Sequence, residues 1–379
     1  MKTPIFKKFK IKDYDFLLFF LVIILAFIGY KAVGSARASV QYTQFTGLIL
    51  GIIAMIVISF INYDFILKFY WPMYILCIVL LLLVAYSPWK DNGGGAVRWL
   101  EIPHLPRFQP SELAKILLIL FFAKFIMKYR EKLNTVLILS IALVLYLIPL
   151  YLIYKQPDLS TTIVIMVTLA VVIFLGGLNK KIVFTILAIA IPIAILLFVL
   201  ILQPDQKILD YDYQQGRILA WLYPDEYEDT TALQQRNSIM AIGSGQLSGK
   251  GLNNDQVNSM KNGNFIPEPH TDFIFAVIGE EMGFIGTASV VGLIFLIVLC
   301  CFRIGYKSKD LAGTLIACGV GVLIGIQSTI NLCVTTGLLP NTGMTLPFVS
   351  YGRTSLISMF AAIGIVINVG LQPIQKYNE

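Results

Sequence analysis

Ten apolar runs, each close to the length a helix needs to cross a bilayer, divide this chain of 379 residues. They lie at roughly 14–34, 44–62, 66–86, 110–128, 135–154, 158–177, 182–203, 271–302, 311–338 and 353–373. A hydrocarbon core asks for about 20 apolar residues per helical span. With no water to satisfy exposed backbone groups, those residues must be helical there. The expected fold class is therefore all-α: a polytopic membrane protein of ten transmembrane helices, forming one domain over 1–379. The first run follows a Lys-rich start and lacks a small-residue cleavage site, so it is expected to stay as an uncleaved span.

Composition agrees where it bears on partners. Charged residues make up 13% of the chain, against about 25% in ordinary globular proteins. The net charge of +7 comes from Lys and Arg at segment ends, not from a basic stripe interleaved with aromatics, which argues against nucleic acid. All five cysteines (Cys77, Cys300, Cys301, Cys318 and Cys333) fall in apolar runs, as small hydrophobes rather than a disulfide framework. With two histidines, His104 and His270, no histidine-based metal site is expected.

Cytoplasmic loops are recognised by their Lys and Arg content. With the N-terminus inside, inner segments hold fourteen of these residues and the short outer loops six, Lys31, Arg37, Lys90, Arg98, Arg107 and Lys155. Both termini are thus expected in the cytoplasm, as an even number of spans requires. Two outer segments are too polar to be plain connectors, 87–109 and 204–270. The second is far longer than a usual loop, and such loops are commonly functional. Within it, Gly216–Tyr223 and Ser238–Leu247 are apolar enough to lie in the membrane interface.

The richest chemistry is in 241–286, a glycine-punctuated stretch that leads through Pro-Glu-Pro-His-Thr-Asp into an apolar run. Asp272 sits at the mouth of that run, where a carboxylate is costly unless it faces a cavity, a partner or a substrate. It can cap the helix, or, with Thr271 as cap, project into a cleft as a general base with a raised pKa. Glu280 would fall near the same helical face, two turns on. For Glu280 and Glu281 a structural pairing with a basic residue of another helix is favoured over function.

Arg98 follows a triple glycine, and Gln109-Pro110-Ser111-Glu112 opens the next run, with Pro110 suited to a first turn. Glu112 and Lys115 are spaced to neutralise each other along a helix. Yet Arg98 and Lys115 are also placed to meet an anionic substrate, Arg by its bidentate fork and Lys as a point charge. The glycines flanking Ser244 and Lys250 could form an anion nest or a simple flexible loop. Asp158 reads as an N-cap, and Asn331, buried in the ninth run, as a bridge between helices. The stretch 337–353 is dense in proline and glycine, consistent with a re-entrant backbone lining a cavity or with a surface loop.

Together, AVRW with QPSELAK, QPDLSTT, AIGSGQLSGKGL, IPEPHTDFIFAVIGEEMGFIG and GLLPNTGMTLPFVSYG resemble the SEDS family (shape, elongation, division and sporulation) of RodA/FtsW peptidoglycan glycosyltransferases, closer to RodA. They recur in order over most of the chain. The resemblance implies polymerisation of lipid II into glycan strands with release of undecaprenyl pyrophosphate, at the outer face of a bacterial plasma membrane. It maps the catalytic aspartate onto Asp272 and places Arg98 and Lys115 at positions that handle the pyrophosphate, with Glu112 in the same motif; Lys250 and Ser350 complete the expected substrate-binding set. Glu280, Glu281, Asp158 and Asn331 would support them. It implies a class B penicillin-binding protein as partner, beside lipid II and membrane lipids, and admits a divalent cation, Mg or Mn, held by no assigned ligand. Arg353 departs from the pattern, since glycine usually follows Ser-Tyr-Gly. A flippase for a lipid-linked precursor and a non-catalytic scaffold are the alternatives from other classes.

Overall fold

The computed structural model describes residues 11–87, 98–101, 107–201, 215–226, 231–252 and 266–372. Lys90, the triple glycine, the first ten residues, Lys376 and part of the long outer segment, all used above, lie outside them. Each of the ten apolar runs is helical. In order they are α1 (Phe16–Ala36), α2 (Ala38–Ser59), α4 (Tyr70–Tyr86), α5 (Pro110–Tyr129), α6 (Val136–Tyr154), α7 (Leu159–Leu175), α8 (Lys180–Ile201), α11 (Ile274–Tyr306), α12 (Leu311–Thr335) and α13 (Arg353–Gly370). A short α3 (Tyr63–Ile66) precedes α4. Among the described residues, seven helices are long and apolar enough by themselves to cross a membrane. Of the rest, α5 carries Glu112, Lys115, Lys124 and Lys128, and α7 has 17 residues. The chain is a polytopic helical membrane protein.

Helix starts follow local chemistry. Asp15, Asp158 and Asp310 each accept a backbone N–H one turn on, from Leu18 (3.1 Å), Thr161 (3.1 Å) and Gly313 (2.8 Å), satisfying donors that a helix start leaves orphaned. Pro110 opens α5, where its missing N–H costs nothing. The centre of the bundle is α12, packed on α5, α7, α11 and α13. Lipid tails give helices little reason to associate, so close contact through small residues must hold them together. Accordingly a Cβ at Gly319 would come within 3.0 Å of both Ile119 and Val172. The outward faces of α1, α2, α6 and α8 expose large apolar side chains such as Phe20, Ile53, Leu143 and Ile195.

The long outer segment is partly helical. α9 (Gly216–Leu222) matches one apolar patch, whereas the other belongs to a longer helix, α10 (Thr231–Ser244), that starts seven residues earlier than the expected patch. α11 is broken at Gly283 (φ 62°, ψ −160°). The glycine-rich stretch after α10 clamps this break. Lys250 and Gly251 donate to the carbonyls of Glu280 (3.0 Å) and Glu281 (2.9 Å), and Phe284 and Ile285 donate to those of Gln246 (2.8 Å) and Leu247 (3.2 Å). A Cβ at Gly245 or Gly249 would lie about 2 Å from the carbonyl oxygen of Gly279 or Glu281. These glycines therefore permit backbone contact. The N–H groups of Lys250 and Gly251 serve the kink, those of Gly245 and Gly249 bond to Ile242 and Gly245 within the loop, and the anion nest is set aside.

Candidate active site

One end of the bundle holds a polar cleft of about 400 Å³ lined by Arg98, Trp99, Arg107, Gln109, Arg217, Glu268, His270, Asp272, Tyr351 and Arg353, among others. Its walls come from segments far apart in sequence. Leu100 and Phe108 pair as an antiparallel bridge (2.8 and 3.0 Å), bringing Arg98 and Arg107 to one side. α9 supplies Arg217. The turn before α11 supplies Asp272, and the non-helical stretch 338–352 closes the floor. That stretch is largely buried, with Met344, Leu346, Phe348 and Val349 packed inside, as a re-entrant backbone must be.

Asp272 does not cap α11. The helix begins after Phe273 with no side-chain cap, and the Thr271 hydroxyl turns back to the Glu268 carbonyl (2.9 Å). The helical offset expected between Asp272 and Glu280 therefore does not apply. Asp272 is fixed through its backbone instead, since Asn331 donates to its carbonyl (2.8 Å) and to that of Met344 (2.5 Å). One step back, the Ser350 hydroxyl donates to the Thr271 carbonyl and accepts the Leu346 N–H, both at 2.7 Å. The Asp272 carboxylate is left in no hydrogen bond or ion pair among the described residues. Gly343 (φ 70°) shows what surrounds it: a Cβ there would sit 3.4 Å from Asp272 Oδ2, 3.4 Å from Arg217 Nη1 and 3.7 Å from Arg98 Nη1. One carboxylate and two guanidiniums thus ring a single point.

Burial pushes the Asp272 carboxyl above its usual range; Arg217 and then Arg98 pull it down without cancelling that, and Asp158 and Glu268 add to the rise. Burial also lowers the His270 imidazole, against Glu268 and with Arg37. Its Nε2 lies 3.2 Å from Glu268 Oε2. Arg98 is held by the Pro157 carbonyl (2.6 Å) and by Asp158 at 3.8 Å. Asp158 therefore caps α7 and orients Arg98 at once.

Other expected site residues are directed elsewhere. Lys115 is buried in α5, bonded to Glu112 and to Gln327 of α12, each at 2.8 Å. Neither Lys115 nor Glu112 lines the cleft; the Lys115 side chain is linked to it through Gln327, which donates to the Thr345 carbonyl (3.1 Å). Lys250 pairs with Glu280 at 2.8 Å, and Glu281 accepts from Ser35 at 2.5 Å. Ser350 spends its hydroxyl on backbone. These side chains look ligand-like in sequence because they are polar residues in or beside apolar runs, but the fold uses them as ties. Arg217 and Arg107 are missing from the expected substrate-binding set. Arg107 was read only as a loop charge, and Arg217 stands in a seven-residue apolar helix with no spacing signal.

The donor set does not suit a resident divalent cation. Such ions take several oxygen ligands, whereas Asp272 faces guanidiniums, and among the described residues no three His, Cys, Asp or Glu converge.

Fold and cleft define a multi-pass membrane protein with a carboxylate–arginine site at one end of its bundle. The family described as cell cycle protein, of FtsW, RodA and SpoVE, matches residues 12–373, and the chain belongs to that family. It is 33% identical over 372 residues to a probable peptidoglycan glycosyltransferase FtsW of Geobacter metallireducens, covering 95% of each. It is 34% identical over 356 residues to the peptidoglycan glycosyltransferase MrdB of Escherichia coli K12, covering 92% of each. Among solved structures it resembles a chain of a peptidoglycan synthase complex that coordinates polymerization and crosslinking (TM-score 0.77, 30% identity, 94% of this chain and 97% of that one). It also resembles the rod shape determining protein RodA of Thermus thermophilus (TM-score 0.68, 28% identity, 94% and 96%).

Proposed function

We infer that the chain is a peptidoglycan glycosyltransferase that polymerises lipid II, with Asp272 as its general base. The observation that carries this reading is the convergence of the unbonded Asp272 carboxylate with Arg98 and Arg217 beside Gly343. The hydroxyl of an acceptor sugar transfers its proton to Asp272 as its oxygen attacks C1 of the donor sugar. The C1–oxygen bond to the diphosphate breaks, and the electron pair leaves on that diphosphate. Attack opposite the leaving group inverts C1. Arg98 and Arg217 stand where the leaving charge develops, in a site partly withdrawn from water, where fixed cations act most strongly. In this reading no residue of the cleft is assigned to a divalent cation.

The Lys and Arg bias supports ten spans with both termini in the cytoplasm, which puts the cleft at the outer face of the bacterial plasma membrane. A class B penicillin-binding protein is the proposed partner, by analogy with the synthase complex above. The test is glycan-ladder formation from lipid II by purified protein. Asp272→Ala is expected to yield no ladder while keeping a cooperative thermal transition; polymer from that variant would overturn the assignment.

A further inference from the structure

The polar cleft has an apolar groove on either side. One, of about 450 Å³, runs along Leu159, Ile163, Ile218, Trp221 and Ile330 and is headed by Arg98 and Arg217. The other, of about 470 Å³, runs between α2, α5 and α13 along Leu50, Leu100, Phe108, Leu113, Ile357 and Ala361, and is headed by Arg107 and Arg353. All four arginines also line the cleft. An apolar channel with guanidiniums at its mouth matches an anionic headgroup on a hydrocarbon tail, and here the arrangement occurs twice.

The two heads differ. Arg98 and Arg217 ring the Asp272 carboxylate, whereas Arg107 and Arg353 are not among the groups nearest that point. In the transfer, the donor's diphosphate must lie at the reacting carbon. An acceptor reacts through a hydroxyl at the far end of its saccharide, so its own diphosphate must sit away from the base. Arg107 is tethered, 3.5 Å from Glu101 and over the Trp99 ring at 4.8 Å. Arg353 lays its stem along α2 at Gly47 and has no hydrogen bond or ion pair among the described residues. A half-buried guanidinium left unpaired beside apolar walls is costly without a ligand. The first turn of α13 behind it has no side-chain cap.

We propose that Arg353, with Arg107, anchors the diphosphate of the acceptor, a second polyprenyl-linked saccharide whose tail occupies the α2–α5–α13 groove. The acceptor role rests on the glycosyl-transfer reading; the anchor does not.

The test uses the full chain in phosphatidylcholine nanodiscs with a photoreactive polyprenyl diphosphate. Label is expected on α2 and α13 peptides, falling about tenfold in Arg353→Ala and largely recovered in Arg353→Lys, the loss expected for one charge-assisted contact. Unlabelled undecaprenyl diphosphate should displace it, while inorganic pyrophosphate or phosphatidylglycerol at equal concentration should not. Displacement by pyrophosphate would reduce the site to a free-anion site, and displacement by phosphatidylglycerol to a general lipid contact; either overturns the proposal, as does unchanged label in Arg353→Ala. In polymerisation, Arg353→Ala should raise KM for lipid II about tenfold with kcat within about twofold. A fall in kcat at constant KM would move Arg353 into the chemical step and overturn the anchor. A wild type that makes no glycan yet labels through Arg353 would sink the glycosyl-transfer reading and keep the anchor.

Discussion

At the residue scale the chemistry turns on keeping one carboxylate unsatisfied. Asp272 is positioned by its backbone, so its side chain stays available. Its folded pKa is raised, chiefly by burial, which fixes a sign. The protonated form is favoured in the folded protein, so its contribution to stability is complete below the unfolded value of about 3.9 and is lost as pH rises through the higher folded value. Asp272→Asn should therefore melt higher than wild type at neutral pH, with the gap closing as pH falls below about 4. Equal melting temperatures across that range would contradict the assigned burial penalty. Activity should run the other way, rising as pH passes upward through the same titration, because a base must be ionised to accept a proton. Gly343 provides an independent probe. Gly343→Ala adds a methyl where three functional groups converge, at φ 70°, and should cost roughly 1–2 kcal/mol of stability while lowering turnover more than tenfold, an effect on the order of 1.4 kcal/mol or more in the barrier. Thermal melts beside initial rates check both, and a fully active variant would show that the reacting atoms lie elsewhere. The places of Asp272 and Arg98 in the cleft follow from features the sequence shows, a carboxylate at the mouth of an apolar run and an arginine in a polar outer segment. Sequence alone does not say that Lys250 pairs with Glu280 or that the Ser350 hydroxyl bonds to backbone, because a polar side chain near a membrane boundary can serve a ligand or a neighbour and only the fold says which.

At the scale of elements, the break in α11 explains why the glycine-rich stretch exists. Glu280, Glu281 and Met282 come just before Gly283 and Phe284 and Ile285 just after it, and with no proline there the break is not announced in sequence. Breaking the helix frees carbonyls at Glu280 and Glu281, and the loop after α10 supplies the N–H groups that satisfy them. Two glycines two residues apart in chain order separate the consequences. At Gly249 (φ 78°) a Cβ would lie 2.1 Å from the Glu281 carbonyl oxygen, whereas at Gly251 (φ 95°) it would meet open space. Gly251→Ala should cost only the left-handed penalty, about 1–2 kcal/mol. Gly249→Ala must also move backbone and should cost clearly more, in the range above about 2 kcal/mol. Thermal unfolding of the two variants side by side decides this, and equal losses would mean that the clamp is not what holds the kink.

At the scale of the whole molecule, the span requirement made the fold legible, while the assembly of the site was not. Twenty-residue apolar runs can only be helices in a bilayer, so each expected run is found helical. Which helices meet is decided by packing at particular faces, and sequence spacing within one run says nothing about it. The Glu112–Lys115 pair shows the consequence. Read along the chain, it is a neutral pair or a substrate contact; in the bundle it is buried in α5 and hydrogen-bonded to Gln327 of α12, joining the central helix to the floor of the cleft through Thr345. A buried pair is expensive to break from one side, about 3–5 kcal/mol, because the surviving charge has no partner, yet it can be replaced whole by apolar residues at little cost. Lys115→Met alone should therefore be strongly destabilised, and the Glu112→Leu, Lys115→Met double variant should recover most of the loss, with a coupling energy of about 0.5–3 kcal/mol. Denaturation midpoints of both singles and the double supply the cycle. Additive losses would mean that the two charges answer to different partners, and the link between α5 and α12 would then rest on apolar packing alone.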